Sequence, residues 1–128
     1  MGYSVTVNPD HVYVQYHGVL NGLDIVKLVA DPEFINDFRR LERVVHDASG
    51  VDAVSITPEQ MREIGVLSSI ESNFTENLLG IIIPKDEAGF ERLRQLRAGI
   101  KNNQWTILVA HSYEEALDLL SQAEQSAY

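Results

Sequence analysis

The side chains with chemistry to offer are few and scattered along the chain. His46 and Asp47 are neighbours, and His111 follows an apolar run. Both positions end segments that read as parallel strands, where α/β folds place their ligands. A shared cleft is one reading of them. A His–Asp pair serves catalysis when both side chains converge on a reacting group, whereas adjacent residues of a strand point to opposite faces. His11, His17, His46 and His111 also lack the i, i+4 spacing of a helical metal site. The chain has no cysteine, which removes disulfides, thiolate metal sites and a cysteine nucleophile together. Its glycines are dispersed and form neither a phosphate loop nor a dinucleotide fingerprint. The residues therefore predict no catalytic centre, no metal and no cofactor.

Binding is better represented. From Pro58 a helix is expected to run to about Asn73, and Met61, Ile64, Val66, Leu67, Ile70 and Phe74 cover somewhat over half its circumference. A helix lying on one sheet face needs only about a third of its surface apolar. The surplus must meet a neighbouring helix, a second subunit, a ligand or a membrane. Phe34 and Phe38 sit on a short helix, which is marginal without tertiary packing and suits a movable lid. The plainer reading of an aromatic pair at helical spacing is core, and it leads here. With Leu67, Ile70 and Phe74 they are the candidate border of an apolar cleft. Arg94, Arg97 and Lys101 share one helical face at i, i+3 and i+7, a stripe suited to an anionic surface or to plain solvation. Thr57 opens the helix from Pro58, where its hydroxyl caps a backbone N–H.

The elements that must position these residues follow from local signals. Ser4–Val7 and Val12–His17 alternate as strands about an Asn8-Pro9-Asp10 turn, predicting an antiparallel pair. Asn21 opens a short helix to Ala30, and Asp31-Pro32-Glu33 opens the next, with Phe34, Ile35, Phe38 and Leu41 inward. Arg43–Ala48 reads as a strand. Thr57 and Gln60 form a capping box, as do Ser112 and Glu115. Leu78–Ile83 and Trp105–Ala110 are continuous apolar runs, predicting central parallel strands. Asp86 caps the helix between them. The whole is one α/β domain with a five-stranded, mixed, mostly parallel sheet and four or five helices.

The bulk figures narrow the setting. A chain of 128 residues, 45% hydrophobic, is one domain's worth with a real core. A net charge of −9 argues against nucleic acid, whose phosphates most of the surface would repel. The absence of cysteine, of a secretory leader and of any bilayer-length apolar run predicts a cytoplasmic protein.

The element order, with Gly18-Val19-Leu20, Asp31-Pro32-Glu33-Phe34, Val44-Val45-His46-Asp47-Ala48-Ser49-Gly50-Val51, Thr57-Pro58-Glu59 and Ser112-Tyr113-Glu114-Glu115-Ala116-Leu117, resembles the SpoIIAA-like family. That family belongs to the sulphate-transporter and anti-sigma-factor-antagonist (STAS) domains. The resemblance implies a non-enzymatic domain, similar in fold to CRAL-TRIO lipid-binding domains, with a small hydrophobic ligand or lipid as partner. The resemblance also implies peripheral membrane contact or a protein partner, while a homodimer would use the surplus apolar arc of the helix from Pro58. It also implies an alternative, an anti-sigma-antagonist-like interaction regulator. The phospho-switch motif of that group, Asp-Ser-Ser-Gly, falls on Ser55-Ile56-Thr57-Pro58, which makes Thr57 the acceptor-equivalent position. The aspartate and the glycine of the motif are here Ser55 and Pro58.

Overall fold

The structure is a computed structural model that describes residues 2–71, 78–89, 91 and 105–126. Its strands are β1 (Tyr3–Val7), β2 (Val12–Tyr16), β3 (Val19–Asn21), β4 (Arg43–Asp47), β5 (Ala53–Ser55), β6 (Leu78–Ile83) and β7 (Trp105–Val109). Its helices are α1 (Gly22–Val29), α2 (Pro32–Leu41), α3 (Pro58–Glu71) and α4 (Tyr113–Ser126). A further helical segment begins at Glu87.

Five strands form the main sheet in the order β1-β2-β4-β6-β7, with β1 antiparallel to β2 and the other pairs parallel. This is the mixed sheet the sequence predicts. Two details differ from expectation. The Trp105–Ala110 run lies at the edge as β7 rather than centrally, with Thr106 exposed and Ile107, Leu108 and Val109 half-buried. An edge strand with apolar residues on both faces gives the same sequence pattern as a central one. The second difference is a small parallel sheet of β3 and β5, three residues each. Strands that short carry no alternation to read.

The caps explain where the helices begin. Asn21 Oδ1 accepts from Asp24 N–H at 2.9 Å, and Asp31 Oδ1 accepts from Glu33 N–H at 2.9 Å. Each supplies an acceptor that the first turn lacks. Thr57 and Gln60 cap reciprocally: Gln60 N–H donates to Thr57 Oγ1 at 3.1 Å, and Thr57 N–H donates to Gln60 Oε1 at 3.0 Å. In α4, Glu115 N–H donates to Ser112 Oγ, but Glu115 Oε2 accepts from His111 N–H, one residue earlier than in a capping box. α2 ends on Glu42 in the left-handed region at φ 63°, a conformation that favours glycine. Gly18, at φ 69°, makes the turn into β3 without that cost.

Strand alternation divides the core into two layers. Val12, Val14, Tyr16, Val44 and Leu78 face one side and are covered by Leu28 of α1 and by Phe34 and Phe38 of α2. Val45, Leu79, Ile81 and Ile83 face the other side with Ala116 and Leu120 of α4. α3 lies against α1, where the Gln60 side chain fits over Gly22 so closely that a Cβ there would approach its atoms to about 2.4 Å.

Candidate functional site

Of the candidate cleft residues, the side chains of Phe34, Phe38 and Leu67 are described, and they differ in exposure. Phe34 and Phe38 are buried, 6% and 3% exposed, with ring centroids 5.8 Å apart. They are core residues of the α2 layer, so burial holds α2 in place. Leu67 is half-buried on α3. Ile70 belongs to α3, but its side chain, together with Phe74, Arg94, Arg97 and Lys101, lies outside the described residues. Thr57 is exposed, and its hydroxyl is already engaged as the cap of α3.

Exposed apolar side chains occur beside this layer. Val19 on β3, Leu23 on α1 and Val66 on α3 are 54%, 54% and 55% exposed. Met61 and Ile64 are buried on α3, whereas Val66 faces solvent. Within the described part of the α3 arc, Val66 is thus left out of the core.

His46 and Asp47 point to opposite faces, as their adjacency in a strand requires. On the α2 side, the Tyr16 hydroxyl lies 2.9 Å from His46 Nδ1, and the two rings stack 5.9 Å apart. Phe34 lies against the same imidazole. Burial pushes His46 down to about 4 and pushes the Tyr16 phenol well up. At neutral pH both are therefore uncharged, and the hydroxyl and Nδ1 satisfy one another.

On the α4 side, the Tyr13 hydroxyl donates to Asp47 Oδ2 at 2.5 Å. Asp47 Oδ1 accepts from Ser49 N–H at 3.0 Å and from Ser49 Oγ–H at 2.6 Å. The Tyr13 ring stacks on Tyr113 at 4.1 Å, and the Tyr113 hydroxyl lies 2.8 Å from His11 Nε2. His11 Nδ1 is 2.7 Å from Asp10, and Asn8 Nδ2 is 3.2 Å from His11 Nε2. Burial first, and then the bond to Asp47 and its charge, push the Tyr13 phenol well up. Tyr113 is also raised, chiefly by burial and then by the negative charge of Asp10.

This string was not legible in the sequence. Alternation places Tyr13 and Tyr16 on opposite faces, but nothing in β2 names a residue of β4 or α4 as partner. A tyrosine held protonated and a histidine held neutral are poor proton carriers near neutral pH. What the two groups do well is satisfy each other's polar atoms inside the core. Among the described residues, no three or more His, Asp or Glu side chains gather to hold a metal ion. Nor is any helix among them long and apolar enough to cross a membrane. Comparison of the chain with protein-family models, curated proteins and solved structures gave no match.

Proposed function

We propose that this chain is a non-catalytic binding domain of the SpoIIAA-like, STAS type. It holds a small apolar ligand or lipid against α1 and α3 and associates transiently with a membrane surface. The observation that supports this reading is the exposure of Leu23 and Val66 on two helices that pack together, with half-buried Leu67 beside Val66 in sequence. Apolar surface left on a paired set of helices is suited to hydrocarbon. A fatty chain burying about 300 Å² there would gain about 7 kcal/mol before ordering costs, enough for micromolar binding. The histidine and tyrosine groups support the non-catalytic half of the proposal, because they are tied into the core with their charges suppressed.

The test is saturable binding of a fluorescent fatty acid, followed in the parent protein and in Leu23→Asp and Val66→Asp. Both positions face solvent, so these variants should keep the parental melt while losing the binding. Phe38→Asp would be uninformative, because a charge placed in the core unfolds the domain. A parent protein that binds no fatty acid, or variants that bind it as well as the parent, would remove the lipid reading.

A further inference from the structure

β1 is the outer strand of the sheet, and its Ser4, Val5, Thr6 and Val7 are exposed. Natural edge strands are usually blunted by a lysine, a proline, a bulge or covering structure, because their free backbone groups recruit other strands. Among the described residues Tyr3–Val7 has none of these: it carries no charge and no proline in a chain of net charge −9, and it pairs with β2 residue for residue. The backbone direction can be worked out. His17 N–H donates to Gly2 C=O and Asn8 N–H donates to His11 C=O, each at 2.9 Å. Antiparallel pairs alternate between bonded and non-bonded, so Ser4 and Thr6 turn their backbone groups toward β2. The N–H and C=O groups of Tyr3, Val5 and Val7 turn outward.

We infer that the occupant of this edge is β1 of a second copy of the chain, antiparallel, with the two-fold axis at Val5. In that register Val5 meets Val5 and Tyr3 meets Val7, so every outward N–H and C=O finds a partner. Three residue pairs with two bonds each give about six hydrogen bonds. The side chains match as well. Tyr3, Val5 and Val7 share the face of Tyr16, Val14 and Val12, and would form one apolar ladder across the axis. Val5 and Val7 are 40% and 45% exposed, so that ladder covers apolar surface the single chain leaves in water. Ser4 meets Thr6 on the opposite face, a hydroxyl pair. A shift of one residue would set apolar against hydroxyl throughout, so the pattern selects this register. The strand's neutrality lets two strongly acidic molecules approach along it. The result is a continuous ten-stranded sheet with the α1 and α2 layers of both copies on one side.

The experiment uses the full chain, which lacks cysteine. Sedimentation equilibrium from micromolar to millimolar concentration should show a monomer–dimer equilibrium. Val5→Pro removes an N–H that points away from β2, so the fold stays intact while dimerisation weakens by about tenfold or more. Under mild oxidation, an equal mixture of Ser4→Cys and Thr6→Cys should form a mixed disulfide dimer, whereas neither variant should form one alone. A monomeric parent throughout the range, dimerisation unchanged in Val5→Pro, or crosslinking indifferent to which cysteines are mixed would each overturn the inference. So would a monomer that instead takes a foreign strand peptide at this edge.

Discussion

The pairing of buried Tyr16 with half-buried His46 makes acid sensitivity a property of the fold. His46 is held near 4 by burial, against 6.5 for an ordinary histidine. The unfolded chain takes up this proton as the pH falls through about 6.5, while the folded chain resists until about 4. Stability from this group is therefore complete above about pH 6.5, declines between 6.5 and 4, and is lost below. At about 1.36 kcal/mol for each tenfold change in proton affinity, this difference corresponds to about 3 kcal/mol. Because the imidazole is only half-buried by solvent exposure, about 2–3 kcal/mol is the better expectation.

The assay is urea unfolding at several pH values between about 7 and 4, on the parent and on Tyr16→Phe/His46→Phe. The double variant keeps two stacked rings and removes the hydroxyl together with both ring nitrogens, so its stability near neutrality should change little. Carboxylates titrate in both proteins and cancel in the difference. The parent should lose about 2–3 kcal/mol more than the double variant across this range. His46→Phe alone should cost about 1–3 kcal/mol at neutral pH, because it leaves the buried Tyr16 hydroxyl without this partner. Parallel stability curves, or a His46 ring resonance titrating at or above the ordinary histidine value, would refute the reasoning.

Two further outcomes follow from the helix ends. Thr57→Ala should destabilise by about 1 kcal/mol through the lost cap alone, read by thermal melting, with no phosphate on Thr57 in protein from its native cell. Stoichiometric phosphorylation there would instead favour the anti-sigma-antagonist reading. Glu42→Gly should stabilise by about 1 kcal/mol in urea unfolding, since glycine adopts the left-handed conformation at α2's end without a Cβ clash. A loss of stability in that variant would show that the Glu42 side chain contributes more than the backbone costs.

The features legible in the sequence are those fixed by neighbours along the chain. Asn21, Asp31 and Thr57 cap helices through bonds spanning two or three residues, so a short window contains both partners. The β1–β2 hairpin is readable for the same reason. The order of the parallel strands is not local, and β7 is misplaced by a pattern that records apolarity on both faces without naming the neighbours. The polar pairs are more distant still: Tyr16 and His46 are 30 residues apart, Tyr13 and Asp47 are 34, and His11 and Tyr113 are 102. Each of these tyrosines or histidines looks in sequence like an amphipathic strand residue or a potential catalyst. Only its surroundings decide which, and here each is tied to a distant polar partner of the fold. The same logic separates Phe34 and Phe38 from Val66. All three read as apolar helix residues, yet the sheet claims the first two and leaves the third in water. Among the described residues, the core leaves Leu23, Val66 and Leu117 on the helices, Val19 on β3 and Val5 and Val7 on the edge strand in water, and these are the apolar groups still open to a contact.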